Sequence, residues 1–187
     1  MSVARGNFRV VFAAGVAVLV LAGASTVALA AAGGGFHRGW SAPSGACSAP
    51  ALPGSVVDVT LTNMGGAMMR GYGPGGMMRV LVNKDQVPAG AVSLRVANTG
   101  SLVHELVVLP LGAGAAVGDR PVGADGRVDE TGSLGEASRT CGAGAGDGID
   151  PGGIGWVTLQ LPAGSYELIC NLAGHYAAGM YTELTVA

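Results

Sequence analysis

The stretch YELICNLAGHYAAGMY, residues 166–181, carries three side chains that bind soft or borderline metal ions: Cys170, His175 and Met180. The residues before Cys170 are apolar and β-prone. The segment Tyr181–Val186 alternates its side chains in the way that a strand with one buried face does. The sequence therefore predicts a strand, a short loop bearing the three ligands, and a second strand.

These ligand types suit copper. Thiolate and thioether sulfurs select soft copper, and two histidines, one cysteine and a weakly bound axial methionine form the blue-copper set. The loop supplies one histidine, so the set needs another, and His104 follows a turn at residues 98–100 and begins an apolar run. A histidine at a strand start is often structural, and it is the cysteine loop that favours ligation here. The sequence thus predicts a copper site made by His104, Cys170, His175 and Met180.

The Cys-x4-His-x4-Met loop, with the upstream Asn-x-Gly-x-x-x-His at residues 98–104, resembles a cupredoxin. The loop spacing is similar to that of the sulfocyanin, rusticyanin and auracyanin branches, whereas plastocyanin has a shorter gap between cysteine and histidine. The resemblance covers residues 56–187. It implies a β-sandwich with one type 1 copper, ligation by Nδ1 of both histidines, and electron transfer through the Nε2 edge of His175.

Two residues near His104 are expected to act on the site without binding the metal. Asn98 is a candidate to tie the His104 segment to the Cys170 loop. Many cupredoxins have Asn or Ser directly after the first histidine, but this chain has Glu105. A buried, anionic Glu105 would favour copper(II), whereas an outward-pointing one would be screened by solvent.

The composition favours a β protein. The chain has 187 residues, of which 34 are glycine and 12% are charged, and this favours short strands and many turns over long helices. A formal charge of −2 does not provide the basic surface that nucleic-acid binding needs.

The N-terminus has the pattern of a targeting segment. Two arginines precede an apolar run at 10–24 and a small-x-small cleavage site at 28–30. Residues 1–32 are therefore expected to be a signal peptide or, if they are not cut, a membrane anchor through residues 10–32. Either outcome places the remainder outside the cytoplasm, in the periplasm, in the medium or on the outer face of the membrane.

The chain has three cysteines, and an odd count in an oxidising compartment needs an explanation. If Cys170 is a metal ligand, then Cys47 and Cys141 are left to pair, and their disulfide would close a long loop. Two unpaired thiols are the alternative.

Strands dominate the expected secondary structure. Alternating or β-branched runs lie at residues 56–62, 77–82, 91–97, 104–109, 156–161, 166–170 and 181–186. Turn residues separate many of these runs. The pattern predicts an all-β, Greek-key sandwich over residues 56–187.

Three further segments lie outside this pattern. Residues 33–55 are rich in Gly, Ser, Ala and Pro and are expected to be a flexible linker. The Gly- and Met-rich stretch at 63–78 either covers the core and the copper site or forms a soft surface for copper(I). Residues 110–154 are a long insertion with seven acids and three arginines. It is expected to be solvated and tethered, or to dock a basic partner, and only 128–138 could hold a short helix.

The histidine count limits the function classes. A multicopper oxidase or copper nitrite reductase needs further histidines for a second copper centre, and only His37 remains. No Ser-His-Asp pattern, phosphate loop or paired Cys-x-x-Cys motif is present, so the chain is not expected to be an enzyme. Two functions stay open. One is an extracytoplasmic one-electron carrier serving redox partner proteins, and the other is a copper-trafficking protein that uses the methionine stretch for transfer.

Overall fold

The computed structural model describes residues 47–63 and 78–187, and within these ranges the chain forms strands and turns without a helix. The strands are β1 Ser55–Asn63, β2 Met78–Val82, β3 Gln86–Val87, β4 Gly90–Asn98, β5 Leu106–Pro110, β6 Gly135–Ala137, β7 Gly142–Ala143, β8 Ile154–Leu161, β9 Gly164–Ile169 and β10 Tyr181–Val186.

The strands build two sheets of five. One sheet has the order β2-β1-β4-β8-β7 and the other has the order β3-β10-β9-β5-β6. Both sheets are mixed, because β1 is parallel to β4 and antiparallel to β2, while β10 is parallel to β3 and antiparallel to β9. The chain passes from one sheet to the other between β4 and β5, and this confirms the predicted all-β sandwich.

The strand β5 is buried on both faces, as its uninterrupted apolar sequence predicts. Leu106 and Val108 belong to the main core between the sheets. Val107 and Leu109 belong to a second cluster on the outer face, which includes Val128 of the insertion. The insertion therefore supplies the second covering layer that a fully apolar strand requires.

The insertion at residues 110–154 is folded onto the sandwich. Its strand β6 pairs with β5, and its strand β7 pairs with β8, so it adds an edge strand to each sheet. The short helix considered at 128–138 is not formed, because Gly135–Ala137 is the strand β6. Short, glycine-rich strands of this kind have no periodic pattern that would identify them in the sequence.

Cys47 and Cys141 form a disulfide with their Cα atoms 5.2 Å apart, and Cys170 is free and buried. This confirms the pairing expected from the odd cysteine count. The disulfide fastens the residues that precede β1 to the insertion.

The N-terminal targeting segment and the methionines at positions 64, 68, 69 and 77 lie outside the described residues. In the ranges that the structure describes, no helix is long and apolar enough to span a membrane.

We expect the paired substitution Cys47→Ser and Cys141→Ser to lower the free energy of unfolding by about 2–4 kcal/mol, because the bond constrains a long loop of the unfolded chain. Guanidinium unfolding of the metal-free protein measures this change. As a control, a reductant should bring the wild type to the stability of the variant and leave the variant unchanged. Equal stabilities without reductant would contradict the prediction.

Candidate metal centre

The ligand loop is held between the ends of two paired strands, β9 and β10. The Cys170 N–H donates to the Met180 carbonyl oxygen at 3.0 Å, and the Met180 N–H donates to the His175 oxygen at 3.2 Å. Gly174 and Gly179 turn the loop with φ values of 82° and 92°, a region that other residues seldom adopt. These bonds bring all three ligands of the loop to one end of the sandwich.

His104 reaches the same place from the segment just before β5, where it forms an isolated antiparallel bridge with Ile149. Its Nδ1 lies 3.2 Å from His175 Nδ1 and 3.9 Å from Cys170 Sγ. Cys170 Sγ lies 3.3 Å from His175 Nδ1. Both rings therefore present Nδ1 to the sulfur, and the three residues offer ligand atoms that all lie within 4.8 Å of one another.

Met180 is fully buried and belongs to the same core cluster as Cys170. Its backbone bonds to Cys170 and His175 fix its place in the loop. All four residues that the sequence singles out as ligands are thus gathered at one end of the core.

Burial sets the protonation of the ligands. It lowers the pKa of His104 to about 4, with a further contribution from His175, and it also lowers the pKa of His175. Both rings are therefore neutral near pH 7, which is the form that binds metals. Burial raises the pKa of Cys170 to about 11, so the metal-free protein holds a thiol, and metal binding must release its proton.

The donor set fits copper. Two neutral imidazoles, a cysteine sulfur and a buried thioether are the ligands of blue-copper sites. Calcium and magnesium take oxygen ligands, and among the described residues no carboxylate joins the His104, Cys170 and His175 group. Zinc sites use Cys, His and carboxylates as ligands, so a zinc site here would not use Met180.

The sequence leaves open whether Glu105 is buried or points outward. In the structure it is buried, with 7% of its surface exposed. Its backbone N–H donates to Cys170 Sγ at 3.4 Å. The pKa of its carboxyl is raised to about 7, chiefly by burial and further by two nearby glutamates, against the lowering effect of Arg127 and a hydrogen bond from the Asn171 backbone. The backbone of Asn171, the residue that follows Cys170, therefore lies within reach of the Glu105 carboxyl.

Asn98 is buried, and its amide nitrogen donates to the backbone oxygens of Leu102 and Ile149, both at 2.7 Å. It thus joins the His104 segment to the insertion rather than to the Cys170 loop. Besides the other ligands, the Asn63 side chain contacts His104, at Nε2, and the sequence analysis missed it. Its only signal in the sequence is its position at the end of a strand.

The insertion also clamps the ligand loop from outside through Asn171, which is buried. Asn171 accepts the Val128 N–H at 2.8 Å and donates back to the Val128 oxygen at 3.0 Å. Arg127 Nη1 donates to the Asn171 backbone oxygen at 3.1 Å, and the Gly174 N–H donates to the Gly126 backbone oxygen at 2.8 Å. The residue after Cys170 and the residue before His175 are therefore both fixed by the insertion.

Tyr176, next to His175, is fixed by a buried carboxylate. Glu167 is fully buried, pairs with Arg120, and accepts the Gly118 N–H at 2.8 Å and the Tyr176 hydroxyl at 2.9 Å. In the sequence, the one sign of this network is an acidic residue, Glu167, within the β-prone run before Cys170. The network joins the first part of the insertion to the ligand loop.

The chain has relatives among known proteins. The sulfocyanin (SoxE) domain family matches residues 74–187. No curated protein matches the chain. A solved structure of rusticyanin from Thiobacillus ferrooxidans is 21% identical, covers 72% of this chain and 79% of its own, and has a TM-score of 0.43. Reduced auracyanin from the photosynthetic bacterium Roseiflexus castenholzii is 20% identical, covers 73% of this chain and 98% of its own, and has a TM-score of 0.42.

For the metal-free protein, we expect the wild type to lose about 1–3 kcal/mol of unfolding free energy between pH 5 and pH 8 relative to Glu105→Gln. The pKa of Glu105 is about 7 in the folded protein, above its ordinary value of 4.5. The folded wild type therefore binds the proton more tightly, and it loses stability as the pH rises through this interval. Glutamine keeps the shape and cannot ionise.

Urea unfolding across this pH range measures the difference. Glu183→Gln, which removes an exposed carboxylate from β10, is the matched control. If the difference between wild type and Glu105→Gln did not change with pH, the assignment of a buried, ionisable Glu105 would be wrong.

Proposed function

The chain belongs to the sulfocyanin (SoxE) domain family and is a cupredoxin, and on this premise we propose that it is an extracytoplasmic one-electron carrier with one type 1 copper per chain. The ligands would be His104, Cys170, His175 and Met180. Bound copper would supply the exchange of one electron between its cuprous and cupric states. The observation that carries the proposal is the meeting of both histidine Nδ1 atoms at the Cys170 sulfur.

The residues of the chain hold these ligands still. His104 is held through Nε2 by Asn63, and the Cys170 sulfur accepts the Glu105 N–H. The backbone around His175 is tied to the insertion. Side chains fixed in this way change little between two oxidation states, and a small change in geometry favours rapid electron transfer.

The surface around His175 supports contact with a redox partner protein. His175 is half-buried, and its exposed neighbours Ala173, Gly174 and Ala177 have small side chains or none. A partner can therefore approach the imidazole edge closely. The few polar groups there also allow the partner to leave quickly.

Two features support a place outside the cytoplasm. The disulfide between Cys47 and Cys141 is of a kind that persists in oxidising compartments. Residues 1–32 have the sequence pattern of a signal peptide or membrane anchor. We assign the chain no catalytic role of its own, and its partners would be the proteins that supply and accept its electrons.

We expect the copper(II)-loaded protein to show an intense thiolate-to-copper band in its visible spectrum and Cys170→Ala to lose it. His37→Ala is the matched control, because it removes a histidine outside the ligand set, and it should keep the band. The wild type should also retain its copper through repeated reduction and oxidation. A pale spectrum that does not respond to Cys170→Ala would refute the type 1 site, and release of the metal in one oxidation state would favour copper delivery.

A further inference from the structure

We propose that Asn63 is the positioning residue for His104, and that it fixes the neutral ring with its proton on Nε2 and its Nδ1 lone pair facing the other ligands. The consequence for metal binding rests on the proposed function. The position of the proton on the His104 ring in the metal-free protein is independent of that function.

The two edges of the His104 ring face different groups. Asn63 ends β1, and its Oδ1 lies 3.1 Å from His104 Nε2. Nδ1, on the other edge, faces His175 and Cys170. Because His104 is fully buried, water has little access to replace the Asn63 contact.

The orientation of the Asn63 amide decides which atom of His104 carries the proton. Asn63 Oδ1 accepts the N–H groups of Ser101 at 2.8 Å and Leu102 at 3.3 Å, and Nδ2 donates to Ser101 Oγ at 3.0 Å. Backbone N–H groups only donate, so the amide oxygen must lie on the side of these groups. The same oxygen faces Nε2, and it can bind that atom only if Nε2 is protonated.

Gly100 shows that the Asn63–His104 contact is built into the fold. A Cβ at position 100 would lie 2.1 Å from Asn63 Oδ1 and 3.0 Å from His104 Nε2. Any side chain there would push the two partners apart. The sequence identifies Gly100 only as a turn residue, and the structure adds a second reason for glycine, namely the space that this hydrogen bond occupies.

The bond should matter for the metal because a ring N–H that donates to oxygen makes the opposite nitrogen a stronger ligand. Loss of such a partner commonly weakens metal binding 10- to 100-fold. The more basic imidazole favours copper(II) over copper(I). Removal of Asn63 should therefore weaken the binding of copper(II) more than that of copper(I) and raise the reduction potential.

The first test uses the metal-free full chain and nitrogen-15 NMR of its histidine rings. We expect the wild-type His104 proton on Nε2, exchanging slowly with water. In Asn63→Ala this exchange should be at least about tenfold faster. Asn63→Asp keeps an acceptor and should restore slow exchange, which a merely structural role of Asn63 would not produce.

Asn83→Ala is the matched control, because Asn83 likewise joins β1 to the end of a neighbouring segment, by accepting the Asp58 N–H at 2.8 Å. It should leave the His104 signal unchanged. A wild-type His104 that carries its proton on Nδ1 would overturn the proposal, whether or not any variant folds.

The second test measures the affinity of each variant for copper(I) and copper(II) by competition with a chelator. Asn63→Ala should bind copper(II) about 10- to 100-fold more weakly than the wild type, and Asn63→Asp, which keeps an acceptor oxygen and adds a negative charge, should bind it at least as tightly as the wild type. Unchanged affinity in Asn63→Ala would overturn the role in metal binding. A wild type without the blue band would instead refute the proposed function and leave the NMR result on Asn63 standing.

Discussion

The pairing of β9 with β10 is the constraint on which the site depends. The two strands run antiparallel from Gly164–Val186 to Ile169–Tyr181, and the bond from the Cys170 N–H to the Met180 oxygen continues their ladder by one step. The loop between Cys170 and Met180 is therefore short and fixed at both ends, and its ligands must lie at the end of the core. His104 arrives there because β5 is the neighbour of β9 in the same sheet.

The insertion is the second constraint, and its role follows from the apolar sequence of β5. An apolar strand needs cover on both faces, and the insertion provides the outer cover through Val128. Once it lies there, its backbone is close enough to bind Asn171 and Gly174. The segment with the weakest sequence pattern thus becomes the outer wall of the ligand loop.

The sequence predicted the ligands that stand together in one loop, and it missed contacts between segments that lie far apart along the chain. Cys170, His175 and Met180 stand at fixed spacing between two strands, so local pattern is enough to group them. Asn63 acts on His104 across 41 positions and Glu167 pairs with Arg120 across 47, and neither contact has a periodic signal. Asn98 shows the same limit, because an amide beside the correct loop can bind either neighbour. Its partner from a distant segment is Ile149, and only the folded insertion determines that choice.

Each ligand segment is held by a different part of the chain, and this bears on what the site is suited to do. β1 holds His104 through Asn63, the backbone before β5 meets Cys170, and the insertion holds the loop around His175. A ligand fixed from several sides cannot move without breaking bonds elsewhere, and buried polar networks of this kind are costly to break in part. A protein that delivers its metal needs at least one ligand that can leave. The arrangement therefore favours a site that keeps its metal while its charge changes, which is the requirement for an electron carrier.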